Sequence, residues 1–203
     1  MLHAAASSIG QAAIQLAVSH GATVIATTRS PDKAALCNQL GANNTIVINE
    51  DGSFADTVKL TNNGRGANVI LDPVGASYLT ENVNAVDYDG RIVMYGLLSG
   101  SKVEDPQFLK KLLFKRASLL PSTLRARDVD YKKRLIHDLL TDEDALPAVM
   151  SGRIKVEVDS IFALDDVVHA HTLMAKNENS GKILLAVSES AQADLRKHPE
   201  HEL

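Results

Sequence analysis

The feature that most constrains this chain is a series of apolar runs with no polar alternation inside them. Thr23-Val24-Ile25-Ala26-Thr27, Thr45-Ile46-Val47-Ile48, Asn68-Val69-Ile70-Leu71 and Arg91-Ile92-Val93-Met94-Tyr95 are continuous. A strand with one wet face would alternate with period two. Continuous runs instead point to strands covered on both faces, as in a parallel sheet flanked by helices. Leu2 to Ala5 reads as a first, very short strand of the same kind. Between the runs the spacing is helical: Ile14, Ala17 and Val18 share a face, and Gly21 supplies a stop. Ser30-Pro31-Asp32-Lys33 sets a cap residue and an N1 proline ahead of a second helix, which Gly41 closes. This succession predicts an α/β fold, a doubly wound parallel sheet with right-handed crossovers.

Further along, Ser118 to Leu124 reads as a strand in which Pro121 marks an edge or a bulge. Residues 128–151 read as helical, Arg153 to Phe162 as a strand, Asp165 to Lys176 as a helix and Lys182 to Val187 as a last strand. The polar stretch 188–203 reads as a disordered tail. The chain therefore divides into a dinucleotide-binding domain over 1–152, a smaller segment over 153–187 and the tail.

Composition excludes more than it identifies. The chain has 203 residues, 45% hydrophobic and 23% charged, an ordinary globular mix. Its single cysteine, Cys37, excludes a disulfide framework or a cysteine-rich metal site. A formal net charge of -4 argues against a nucleic-acid partner. No apolar stretch approaches the ~20 residues that span a bilayer, and no signal-peptide pattern opens the sequence. The expectation is a cytoplasmic protein with no membrane partner.

The richest local signal is Ala4-Ala5-Ala6-Ser7-Ser8-Ile9-Gly10, which follows the first strand and opens the first helix. Tiny residues at such a turn let backbone approach a pyrophosphate, and the helix N-terminus offers unpaired N–H groups and a positive dipole end. Only Gly10 is glycine where the dinucleotide fingerprint has three, so a ligand-free turn of small residues is the competing reading. About 20 residues on, an NAD site presents an acid to the ribose 2′-hydroxyl. This chain has Thr27-Thr28-Arg29-Ser30 there, with Lys33 one turn further, a set able to hold a 2′-phosphate by charge-assisted hydrogen bonds. NADPH is favoured over NADH on that ground; the bland alternative makes Arg29 and Lys33 solvated surface charges.

Residues 3–16 resemble the nucleotide-binding turn of the zinc-free quinone oxidoreductases, a branch of the medium-chain dehydrogenase/reductase superfamily that includes zeta-crystallin. The resemblance continues through Leu71-Asp72-Pro73-Val74-Gly75 and Asp89 to Leu97, and is closest at Lys111 to Arg116 and Ser122 to Arg127, where it is to the apoptosis-inducible type. It implies a Rossmann domain followed by a β-α-β remnant of a GroES-like catalytic domain, with the N-terminal catalytic domain lacking. It also implies NADPH-dependent reduction of a quinone by hydride transfer, without metal. Ser7, Ser8, Ile9 and Gly10 match the pyrophosphate turn, Ser30 and Lys33 match positions near the 2′-phosphate, and Val74 lies near the adenosine half. Gly96, Leu97 and Leu98, with Ser122, Thr123 and Leu124, match the segments framing the nicotinamide, and Asn179 matches a late cofactor contact. Two positions depart from the pattern. Ser8 replaces a glycine, and Glu50 stands where relatives place a tyrosine against the 2′-phosphate, so that an acid would repel it. The family dimer, implied here too, pairs the 118–124 edge strand with its symmetry mate.

Hydride transfer needs orientation and exclusion of water more than a nucleophile, and no catalytic side chain is assigned. Cys37 is expected to be buried and inert. His169 and His171, two apart on a helix, point to different faces and make poor joint metal ligands; His198 and His201 sit in the tail. Ile154, Val156, Val158, Ile161 and Phe162 are expected to be exposed in the absence of a partner domain. Two functional readings stand: the cofactor half of an NADPH:quinone oxidoreductase, or a nucleotide-binding module without catalysis.

Overall fold

The computed structural model describes residues 1–49, 51–188 and 190–192. Glu50, the pair His198 and His201, and the tail from 193 onward lie outside the described residues, so the readings placed on them stay as stated. Residues 190–192 are helical, which corrects disorder for that part of the tail.

One parallel sheet forms the centre. Its strands are β1 (Ile25–Thr28), β2 (Asn44–Val47), β3 (Ala67–Asp72), β4 (Val86–Met94) and β5 (Ser118–Pro121). The first segment lies between β1 and β3: Leu2 bridges both Ala26 and Leu71 in parallel. The Leu2 N–H donates to Ile25 O at 2.8 Å and the His3 N–H to Leu71 O at 3.1 Å. The sheet order is thus β2, β1, the first segment, β3, β4, β5. The chain winds outward through β1 and β2, then crosses to the other side of the first segment with β3. That reversal is where ligands bind in open α/β sheets.

Helices cover both faces, which is why the strands read as continuous apolar runs. On one face α1 (Ser8–Ser19) and α2 (Pro31–Gln39) enclose a core of Leu2, Ile14, Val24, Ala26 and Cys37. On the other, α3 (Ala55–Thr61), α4 (Ala76–Ala85) and α5 (Phe108–Lys115) bury Ile25, Phe54, Val58, Ile70, Val83 and Ile92. Ile25 and Ala26 belong to opposite cores, as the alternating Cβ directions of a strand demand. Cys37 is fully buried, and burial pushes its thiol up to about 11, leaving no thiolate at neutral pH.

Several boundaries move from their expected places. The strand at 118–124 ends at Pro121, paired in register with Met94, so Ser122 to Leu124 lie past its end. The helical stretch 128–151 is two helices, α6 (Val129–Thr141) and α7 (Ala145–Met150). Asp142 breaks them apart, because its Oδ1 accepts the N–H groups of Asp144 at 2.9 Å and Ala145 at 2.6 Å. The strand expected from Arg153 begins only at Val158, as β6 (Val158–Ala163). A 3-10 turn precedes α8 (Val167–Lys176), and β7 (Lys182–Ala186) pairs parallel with β6 in a separate two-stranded sheet. Of the five apolar residues expected to be exposed there, Val156 and Val158 are exposed; Ile154, Ile161 and Phe162 are half-buried.

A two-stranded sheet is marginal by itself. Two tethers hold this one. The Gln15 amide on α1 pairs with the Lys155 backbone in both directions, at 2.8 and 3.0 Å. The Lys33 ammonium on α2 donates to Asn177 O at 2.7 Å, at the C-terminal end of α8 where a cation complements the helix dipole.

A separate link, from the end of α1 to the junction of α6 and α7, has a pH signature. His20 caps α1 through Nδ1, which donates to Leu16 O, while Nε2 meets Asp142 at 2.9 Å. The Leu16 carbonyl and then Asp142 raise the His20 pKa above its ordinary value. The Ala145 N–H and then His20 lower that of Asp142. A raised histidine stabilises fully below its unfolded value of about 6.5 and loses that contribution as pH climbs through the folded value. The depressed carboxylate stabilises above about 3.9 and loses its contribution as pH falls through the folded value. Urea midpoints of the wild type and His20→Ala should therefore differ most near pH 5.5 and converge by pH 8.5. A constant gap across that range would refute the link.

Candidate functional site

The segments singled out from the sequence lie at the carboxyl ends of parallel strands, on one rim of the sheet. The first segment ends in the Ala4–Ser7 turn, β1 in Arg29-Ser30, β3 in Val74, β4 in Gly96-Leu97-Leu98 and β5 in Ser122-Thr123-Leu124. Parallel pairing brings together residues more than 100 positions apart. Asn179 is the exception. It precedes β7 in the second sheet, and its Nδ2 donates to Gly181 O at 3.0 Å within its own loop.

The turn itself has the form an anion needs. Ser7 caps α1, its Oγ accepting from the Gly10 N–H at 3.2 Å, and the Gln11 N–H bonds Ser7 O. The Ser8 and Ile9 N–H groups have no acceptor among the described residues. They stand at the positive end of a 12-residue helix, at the reversal of strand order. Ala4 takes φ +48° where the chain leaves the sheet, a left-handed conformation that costs a non-glycine residue roughly 1–2 kcal/mol. Gly10 lets α1 approach this turn, since a Cβ there would lie 2.5 Å from Ala5 O and 2.6 Å from Ala4 O. Ser8, at a position where the resemblance expects glycine, is half-buried and Ile9 is exposed.

The opposite wall is the β3–α4 loop laced to the β4 loop. Leu98 N–H donates to Pro73 O at 3.1 Å, Ser99 N–H to Val74 O at 2.8 Å and Ala76 N–H to Gly100 O at 3.0 Å. Gly75 has φ +83°, and a Cβ on it would meet Leu97 and Gly100 O at 2.9 Å, so both conformation and space require glycine. Leu97 and Leu98 are exposed above this wall, 49% and 79%, presenting apolar surface to the rim.

Arg29 is exposed and Lys33 half-buried one helical turn on. Burial, then the Arg29 charge, lower the Lys33 pKa, while Asp159 acts against them. Lys33 thus belongs to two settings at once: near a cation at the end of β1, and bonded to the end of α8.

Sequence reasoning missed what lies beneath the rim. His3 is buried to 1%, with its Nδ1 2.8 Å from Thr27 Oγ1 and its Nε2 2.6 Å from Asn82 Oδ1. Asn82 Nδ2 donates to Asp72 Oδ2 at 2.9 Å, and Asp72 Oδ1 accepts the Val74 and Gly75 N–H groups at 2.7 and 3.1 Å. Burial pushes His3 down to about 4, so the imidazole is neutral. Its ring meets Phe54 and Tyr78 edge-to-face, each at 4.8 Å. A histidine in the middle of a strand-like apolar run was the one available signal, and its partners come from β1 and α4, beyond local patterning.

The family model described as zinc-binding dehydrogenase matches residues 8–140. The chain belongs to this family, within the medium-chain dehydrogenase/reductase superfamily, and carries the family's oxidoreductase nucleotide-binding fold. It is 30% identical over 192 residues to quinone oxidoreductase-like protein 2 of Bos taurus, covering 92% of this chain and 52% of that one. To highly reducing polyketide synthase 40 of Fusarium pseudograminearum it is 28% identical, over 93% of this chain and 7% of the synthase. A crystal structure of an NAD-dependent alcohol dehydrogenase superposes with TM-score 0.75 at 30% identity, covering 92% of this chain and 50% of that one. The chain thus spans at most about half the length of these relatives.

The family description names zinc. Among the described residues, the one group of three His, Cys, Asp or Glu side chains with adjacent ligand atoms is His20, Asp142 and Asp144. Both His20 nitrogens and the Asp142 carboxylate are committed to the helix ends they cap, at the opposite end of α1 from the rim. These donors do not fit a catalytic zinc. His169 and His171 are both exposed, and His169 Nδ1 lies 3.7 Å from Asp166. The rim, by contrast, fits a dinucleotide: free N–H groups at a helix N-terminus, a glycine-lined approach and two cations at the end of β1. Among the described residues no helix is long and apolar enough to cross a membrane.

Proposed function

We propose that this chain is the NADPH-binding portion of an NADPH:quinone oxidoreductase. The observation that carries this reading is the pair of Ser8 and Ile9 N–H groups, without an acceptor among the described residues, at the strand-order reversal, with Arg29-Ser30 rather than an acid directly after β1 and Lys33 one turn on. Ser7 to Gly10 would hold the pyrophosphate, Arg29, Ser30 and Lys33 the 2′-phosphate, and Val74 would border the adenosine. Gly96 to Leu98 and Ser122 to Leu124 would flank the nicotinamide and keep water from it. When bound, the cofactor supplies a hydride to an electron-poor acceptor, a quinone or enone. The residues here orient it, and the anion left by hydride transfer takes its proton from solvent. Asn179 would contribute the amide atoms that its bond to Gly181 leaves unused.

The match to polyketide synthases favours a second acceptor class, a carbon–carbon double bond conjugated to a carbonyl, which asks for the same hydride geometry. Turnover assays with a benzoquinone and an enoyl thioester, each with NADPH, separate the two. Measurable NADPH binding with no turnover of either substrate would leave a nucleotide-binding module without catalysis. No binding of NADPH or NADH would refute the reading.

We also place a homodimer interface at β5. It pairs with β4 on one side only, and Leu120 on it is 43% exposed, an edge of the kind that pairs with a symmetry mate. Sedimentation velocity should give a dimer of about 44 kDa, twice the 21.8 kDa chain, and Leu120→Lys should shift it to monomer by like-charge repulsion across the two-fold axis. A wild-type monomer would refute this assembly.

A further inference from the structure

The chain His3–Asn82–Asp72 connects the two walls of the site and is used by nothing described above. His3 immediately precedes the phosphate turn. Thr27, on its Nδ1 side, lies two residues before Arg29. On its Nε2 side, Asn82 and Asp72 lead to the N–H groups of Val74 and Gly75. Thr27, Asp72 and Asn82 are each no more than 1% exposed.

The polarity of the chain is determined. Asp72 Oδ2 can only accept, so Asn82 donates to it through Nδ2 and turns Oδ1 toward His3. That oxygen requires a proton on His3 Nε2, which leaves Nδ1 to accept from the Thr27 hydroxyl. Each of these polar atoms then has one role, and Asp72 Oδ1 accepts from both loop N–H groups. A phenylalanine could fill the same space against Phe54 and Tyr78, so packing alone does not call for an imidazole. What the hydrogen bonds add is direction: they tie the β3–α4 loop to the strand that ends in the phosphate turn.

We infer that His3 is a positioning residue of the dinucleotide site, setting through Asn82 and Asp72 the separation of the Val74–Gly75 loop from the Ala4–Gly10 turn. The ligand whose fit depends on that separation is the adenosine diphosphate moiety common to NADPH and NADH. This rests on the nucleotide-binding reading above.

The test uses the full chain and three substitutions at one position. His3→Gln keeps a donor near the Nε2 position, and with it the link to Asn82. His3→Asn keeps only the acceptor near Nδ1, and the link to Thr27. His3→Phe keeps neither. Fluorescence titration should give an NADPH Kd within threefold of wild type for His3→Gln and at least tenfold weaker for His3→Asn and His3→Phe. NADH should weaken by the same factors. Urea midpoints, measured alongside, should not rank the variants in that order; a Kd that simply follows the midpoint would mean a structural role and overturn the inference. So would equal affinities in all three. Asn82→Asp, nearly the same size but placing a second carboxylate against Asp72, should also lose at least tenfold if the His3 variants fail to fold; unchanged affinity would overturn the inference. In the wild type, imidazole ¹⁵N shifts should report the Nε2–H tautomer, and the Nδ1–H tautomer would overturn the assigned polarity. A wild-type chain that bound neither dinucleotide would bring down the nucleotide-binding reading itself, and this inference with it. A wild type that binds, with variants that bind equally well, would bring down the inference alone.

Discussion

Gly10→Ala is expected to destabilise the fold by about 2–3 kcal/mol, at the upper part of the range for overpacking a well-packed site. In most helices the same change stabilises, by about 1 kcal/mol. Here the added Cβ would fall 2.5–2.6 Å from the backbone oxygens of Ala5 and Ala4. Backbone cannot swing aside as a long side chain can, so α1 must retreat from the turn. The Ser8 and Ile9 N–H groups retreat with it, and NADPH binding should weaken more than tenfold. Urea denaturation and fluorescence titration of the purified variant check both parts. A midpoint at or above that of the wild type would show that α1 does not approach the turn as described.

Replacing both cations at the end of β1, Arg29→Ala with Lys33→Ala, is expected to weaken NADPH binding about a hundredfold and leave NADH within about threefold. Charge-assisted hydrogen bonds contribute about 1.5–3 kcal/mol each; a hundredfold loss is ~2.7 kcal/mol, just below the low end for two, because Arg29 is exposed to solvent. Lys33 must release Asn177 O to reach a phosphate, so Lys33→Ala alone should also speed amide exchange at the end of α8, with or without cofactor. Equal loss of NADPH and NADH would refute the 2′-phosphate assignment while leaving the pyrophosphate turn in place.

Much of the fold was legible locally. Strand positions at 25–28, 44–47 and 67–72 follow from continuous apolar runs, because burial on both faces leaves no polar alternation to hide them. Cys37 was legible as an inert core residue for a similar reason. The division of 128–151 was not, because Asp142 ends α6 and caps α7 by a turn that helical periodicity overrides. Nor was the late start of β6, since residues 153–157 look like a strand but are held by Gln15, 140 positions away. The Ala4–Gly10 turn and the Arg29-Ser30-Lys33 stretch could be read from the βαβ unit itself, whereas Val74, Gly96 to Leu98 and Ser122 to Leu124 were placed only through the family resemblance. The Lys33–Asn177 bond was not, although Lys33 had been singled out, because its partner is 144 residues distant.

The sequence by itself determined the class of fold, the order of its elements and the stretch that turns from strand into an anion-binding helix end. These depend on periodicity, capping and residue size, all of which act within a few positions. Only the tertiary structure decided that Lys33 braces α8. Only it revealed that a buried histidine joins the two walls of the site through Asn82 and Asp72. Those arrangements are set by hydrogen bonds between groups 10 to 144 residues apart, whose cost of burial is met only when all partners arrive together, and no local pattern records that.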